Sequence, residues 1–219
     1  MHVVVKRLQT VNNKVKEIIS EKQLKTAPQI IAVSKTFSLN QITPLLDFGH
    51  LHFGENKVQE AYNKFKDLKT IHKNIYLHMI GPLQTNKVKK ALEIFDFFHS
   101  LDRPNLALEF SKYSNNIKHK SFFIQINTGN EKQKSGILSN LASEFIQHCL
   151  NTLKLNIIGL MCLPPINEDP KPHFLVLKEL ATKNKIKHLS MGMSNDYQIA
   201  VDNGATFIRV GSNLFGFRK

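Results

Sequence analysis

The chain alternates short apolar runs with longer stretches in which apolar positions recur at helical spacing. The runs fall at Ile30–Val33, His50–Phe53, Ile75–Ile80, Phe95–His99, Phe122–Ile126, Leu155–Met161, Ile186–Met191 and Phe207–Val210. Several are unbroken, the pattern of strands covered on both faces of a parallel sheet. Between them, helices are predicted over Leu39–Phe48, Val58–Leu68, Thr85–Ile94, Pro104–Tyr113, Ile137–Leu150, Pro170–Lys183 and Asn195–Asn203. A further helix is predicted over Val4–Lys25, where Val4, Leu8, Val11, Val15 and Ile18-Ile19 share a face. A repeating strand and helix of this number predicts an α/β fold, a (β/α)8 TIM-type barrel with an extra N-terminal helix. A doubly wound open sheet is the alternative, because strand order is not written in the pattern. No Pro/Gly/Ser-rich linker divides residues 1–219, so one domain is expected.

Composition narrows the class. Of 219 residues, 42% are hydrophobic and 21% charged, an ordinary globular profile. No apolar run is long enough to cross a bilayer, and Met1–Arg7 shows no signal-peptide pattern, so no membrane partner is expected. Cys149 and Cys162 have no metal or redox spacing, and the expected location is cytoplasmic. The net charge of +13 raises the question of nucleic acid. The lysines are spread along helix-like segments, as in Lys14, Lys16, Lys22, Lys25, Lys64, Lys66, Lys69 and Lys73. Without an arginine-rich arm or an aromatic recognition motif, weak polyanion binding is expected but no specific nucleic-acid partner.

Barrels of this kind place their ligands at the carboxyl ends of the strands. Lys35 stands there, directly after Ile30–Val33 and Ser34. A partly desolvated amine can attack a carbonyl to form a Schiff base, and the competing reading is a lysine snorkelling to water. After the second run come Gly54, read as a tight-turn residue, and Asn56, a ligand donor or a helix cap. The third run carries His78 on one face with Tyr76 and Ile80, as a core or ligand residue. His50 and His52 share a face but lack a third metal ligand. The polar stretch 127–136 has the length of a functional loop.

The last two strand ends favour an anion. Ser194 is expected at a helix start, where it caps the helix or meets a phosphate. Gly211 lets backbone amides approach a ligand, and Ser212 adds a donor. These two loops form the usual phosphate site of such a barrel, facing the mouth that Lys35 also faces. A phosphorylated aldehyde satisfies both, and pyridoxal 5′-phosphate (PLP) is the common one. Arg209 projects toward the same mouth, as a donor to the pyridine nitrogen or as a structural salt bridge. A phosphosugar or nucleotide barrel without PLP is the third reading.

Five stretches carry a resemblance: 32–36 (Ala-Val-Ser-Lys-Thr), 53–60 (Phe-Gly-Glu-Asn-Lys-Val-Gln-Glu), 78–87 (His-Met-Ile-Gly-Pro-Leu-Gln-Thr-Asn-Lys), 190–194 and 209–216. In order and spacing the chain resembles the YggS/PROSC family of PLP homeostasis proteins. The resemblance implies an alanine-racemase-like barrel with PLP held as a Schiff base on Lys35. It places Asn56, Ser194, Arg209, Gly211 and Ser212 around the cofactor, and His78 is counted with them. Lys57 stands where the family usually has Tyr, Phe37-Ser38 where Lys-Pro is usual, Asn195 for Asp and Ser212 for Thr. The implied role is a monomeric carrier that buffers PLP, with PLP-dependent apoenzymes as candidate recipients. The alternative is a PLP-dependent racemase or decarboxylase, but a racemase needs two bases on opposite faces of its substrate.

Overall fold

The computed structural model describes residues 1–131 and 133–216. The apolar runs become parallel strands: β1 (Gln29–Val33), β2 (His52–Glu55), β3 (Tyr76–Met79), β4 (Phe97–Leu101) and β5 (Ser121–Asn127). The two-residue β6 (Ile137–Leu138) follows, then β7 (Ile157–Cys162), β8 (His188–Met193) and β9 (Phe207–Val210). Their spatial order is β4-β3-β2-β1-β9-β8-β7-β5, and β4 also pairs with β5. That last pairing closes a ring of eight strands and decides for the barrel over the open sheet. β6 hydrogen-bonds to the end of β5 outside the ring.

Around the ring lie α1 (Val3–Glu21), α2 (Leu39–Asp47), α3 (Val58–Ile71), α4 (Val88–Ile94) and α5 (Pro104–Ser111). The others are α6 (Ser114–Ile117), α7 (Ala142–Gln147), α8 (Pro170–Lys183), α9 (Tyr197–Asp202) and α10 (Ser212–Phe215). Helix α1 buries Val4, Val5, Leu8, Val11, Val15 and Ile18 and packs on α2, α9 and α10. It ends four residues before Lys25, because Gln23 takes a left-handed backbone (φ 51°). The helix expected from Ile137 instead begins as β6, continues through α7 and ends in a π-helical turn at His148–Thr152. The helical period of that window concealed the strand pairing of Ile137 with Ile126.

The strands separate two layers of core. In β1, Ile30 and Ala32 join the outer layer beneath the helices, with Leu45, Phe53, Phe65 and Phe98. Ile31 points into the barrel and meets Phe123, Met161 and Phe207. Each fully buried Phe or Ile contributes about 1.5–3 kcal/mol of transfer free energy. Gly54 lies within β2 and is no turn residue. A Cβ there would fall 2.9 Å from Ile31 and 3.1 Å from Ile80, so its small size is what the barrel needs.

Candidate cofactor site

β1 delivers Lys35 to the carboxyl-terminal mouth. The Ser34 amide makes a last bond to the Gly54 carbonyl (3.0 Å), and the chain then turns through Lys35 and Thr36. Lys35 is half-buried and lines a cavity of about 580 Å³ together with Ile80, Ser194, Arg209, Gly211 and Ser212. Five of the seven candidate residues therefore meet at one cavity. Asn56 and His78 are not among its lining.

At one end of the cavity the loops after β8 and β9 are tied together. Ser194 Oγ accepts from the amides of Gly211 (3.1 Å) and Asn213 (3.4 Å), while Asn213 Nδ2 donates to the Ser194 carbonyl (2.9 Å). Helix α9 starts only at Tyr197, so Ser194 does not cap it. The loops have this shape because the chain turns directly from β9 into α10. Two further contacts hold α10 in place. Phe215 stacks on Phe37 at 4.7 Å, and Arg7 donates to the Leu214 carbonyl (3.3 Å).

Arg209 comes up from β9 and is 4% exposed. Nη1 donates to the carbonyl and hydroxyl of Ser190 (2.8 and 2.7 Å), and Nη2 donates to the Cys162 carbonyl (3.0 Å). These bonds use three of its five N–H groups and leave donors for the mouth. Among the described residues it forms no ion pair with a carboxylate, so it is not the structural salt bridge. Burial lowers its pKa from the ordinary value, and the Asp196 charge opposes that.

Behind Arg209 a file of histidines crosses the barrel interior. His52 Nδ1 meets His78 Nε2 (2.9 Å), His78 Nδ1 meets His99 Nε2 (2.9 Å), and His99 Nδ1 meets Ser190 Oγ (2.8 Å). Arg209 only donates, so the Ser190 hydroxyl accepts a hydrogen bond from it and has its own hydrogen to donate to His99 Nδ1. With that direction at Ser190, the tautomer that satisfies every contact carries the hydrogen on Nε2 of His99 and His78, each donating to the next ring. Burial keeps all three neutral: His52 is lowered to about 4, and His78 and His99 fall well below the ordinary histidine value. His78 thus sits between two rings, linked to Arg209 through His99 and Ser190. His52, His99 and Ser190 escaped sequence reasoning. Their signal is histidines recurring at strand positions; the metal reading takes in only His50 and His52, and His99 is not singled out by it.

Asn56 follows β2 and lies under Gly81, where a Cβ would fall 2.6 Å from the Asn56 Cβ. Lys57 takes the cap position of α3, so Asn56 is not the cap. It lines a neighbouring cleft of about 290 Å³, and its buried side-chain oxygen has no hydrogen-bond partner among the described residues. An orphaned buried amide oxygen marks a group awaiting a ligand or water. The adjoining larger cavity offers the loops after β8 and β9, the half-buried Lys35 and the buried Arg209 guanidinium. That donor set suits a phosphorylated aromatic aldehyde. The 127–136 loop borders other clefts, where Asn127 Nδ2 donates to the Glu131 carbonyl (2.9 Å); its Lys132 lies outside the described residues.

Residues 8–219 match the model of the alanine racemase N-terminal domain family. The pyridoxal phosphate homeostasis protein of Aquifex aeolicus is 38% identical over 202 residues, 87% of either chain. Its counterpart in Escherichia coli K12 is 33% identical over 86% of this chain and 85% of its own. Among solved structures, PipY of Synechococcus elongatus with PLP bound is 32% identical, with a TM-score of 0.79 over 97% of this chain and 100% of its own. Alanine racemase of Corynebacterium glutamicum shares the fold at 16% identity and a TM-score of 0.64, over 94% of this chain and 61% of its own. The chain belongs to the alanine racemase N-terminal-domain family, among its pyridoxal phosphate homeostasis (YggS/PROSC) proteins.

Proposed function

We propose that this protein binds PLP and serves as a carrier that buffers the cofactor in PLP homeostasis, holding it as a Schiff base on Lys35. The observation that carries the reading is the convergence of Lys35, Arg209 and the Ser194–Gly211–Ser212 loops on one cavity. PipY, solved with PLP bound, and the homeostasis proteins of similar sequence support it. The bound cofactor supplies the aldehyde. The chain's own groups do the rest: Lys35 provides the amine, and the Ser194, Gly211 and Ser212 loops receive the phosphate. Arg209 donates toward the ring nitrogen and disfavours its protonation, since an arginine does not give up its proton. Asn56 takes a ring-edge position, and His78 acts through His99 and Ser190 on Arg209.

A carrier role, as against a racemase or decarboxylase, is supported by the position of the tyrosines. Tyr62 and Tyr197 lie on α3 and α9, Tyr113 follows α5, and Tyr76 is at the amino end of β3; none lines the cavity. A second base opposite Lys35 is therefore not supplied by tyrosine. The carrier is proposed to be cytoplasmic and monomeric, with PLP-dependent apoenzymes as recipients.

Spectral titration of the purified protein with PLP tests the binding. Wild type is expected to retain a visible absorption band through gel filtration, and Lys35→Ala to lose it. A wild type without the band contradicts PLP binding. With the band present, D- and L-alanine are expected to pass unchanged, and steady turnover would overturn the carrier role.

A further inference from the structure

On the outer side of the Lys35 turn, an ion pair from one helix holds the chain on both flanks of that lysine. Lys64 projects from α3 with its side chain 12% exposed. Its Nζ donates to the Ser34 carbonyl (2.8 Å) and to Glu55 Oε1 (2.9 Å), and it forms an ion pair with Glu60 Oε1 (2.8 Å). Glu60 Oε1 in turn accepts from the amide of Thr36. Glu55 is fully buried at the end of β2 and also accepts from Ser34 Oγ (2.7 Å). The carbonyl before Lys35 and the amide after it are thus gripped by residues of one helix face, Glu60 and Lys64 being one turn apart.

The grip has something to hold. Thr36 has φ 70°, a left-handed backbone that a β-branched residue avoids. Such a conformation persists only where its surroundings over-determine it. We propose that Lys64, with Glu60, is a positioning residue for Lys35: it holds the strained Thr36 turn and so presents the Lys35 amine to the mouth in one orientation. This deepens the PLP reading and rests on it. A pre-oriented amine reacts faster than one on a loose turn, because the orientation is fixed before encounter. Burial raises the Glu55 pKa and the Lys64 charge opposes it; for Glu60, burial is outweighed by Lys64 and the Thr36 amide, and its pKa is lowered.

The test combines two readouts on Lys64→Met, Glu60→Gln, and Lys64→Met with Thr36→Gly. The first is the rate of covalent PLP capture, trapped by borohydride at timed intervals. The second is hydrogen exchange at the Thr36 amide without PLP, which reads the grip alone. Lys64→Met is expected to capture PLP at least about tenfold more slowly, and Thr36→Gly to recover part of that loss by making the turn unstrained. Thr36 exchange is expected to rise about tenfold or more in Lys64→Met and Glu60→Gln. If Lys64→Met does not fold, the half-exposed Glu60→Gln carries both readouts. Wild-type capture rates in the variants, or capture that Thr36→Gly does not recover, would overturn the proposal. So would unchanged Thr36 exchange. A wild type that takes up no PLP would instead overturn the functional reading, leaving exchange to judge the grip.

Discussion

Arg209 is fixed in place by hydrogen bonds within the barrel. A buried guanidinium has a high desolvation cost, which is offset here by hydrogen bonds to two carbonyls and a hydroxyl. Removing it would leave three buried acceptors without donors. Arg209→Met is expected to lower the unfolding free energy by about 2–4 kcal/mol, read from urea midpoints at neutral pH. A loss below about 0.5 kcal/mol, the range of surface substitutions, would contradict the bonding described. Lys35 and Arg209 were legible in the sequence, because each stands at a strand's carboxyl end beside phosphate-suited loops. Lys64 was not. It read as one more solvated lysine among many, and only the packing of α3 against β1 and β2 gives it a role.

At the scale of elements, the order and approximate positions of the strands and helices followed from periodicity, and the pairing of β4 with β5 decided for the ring over the open sheet. What failed was local. The window from Ile137 hid a two-residue strand, and Gly54 read as a turn residue because its steric role depends on Ile31 and Ile80 from neighbouring strands. The histidine file was illegible for the same reason: His52, His78 and His99 sit on three strands, and only their register brings the rings together. That file makes stability depend on pH. His50 and His52 titrate at about 4 in the folded chain, and His78 and His99 lower than the ordinary 6.5. Burial is the main cause for each. The unfolded chain therefore binds protons below about pH 6.5 that the folded chain refuses, so stability falls as pH drops from there toward 4. Each site adds a slope of up to about 1.4 kcal/mol per pH unit in that window. Glu55, held above the ordinary carboxylate value, works in the opposite direction at the acid end. The urea midpoint is expected to be clearly lower at pH 5.0 than at 7.5. An equal or higher midpoint at pH 5.0 would mean that the histidines are not held neutral.

For the whole molecule, the barrel divides its work by layer. The outer apolar layer and α1 stabilise the ring, and the inner layer combines Ile31, Phe123, Met161 and Phe207 with the histidine file. Above that file the carboxyl-terminal mouth collects groups from β1, β8 and β9 into one cavity. Among the described residues, Lys35 and Arg209 are the cations that line that mouth. The account stands on one covalent assignment. Incubating the protein with PLP, reducing with borohydride and mapping the phosphopyridoxyl group by peptide mass spectrometry tests it most directly. The account predicts a single stoichiometric adduct on Lys35, lost in Lys35→Ala. An adduct spread over the surface lysines, or none at all, would contradict it.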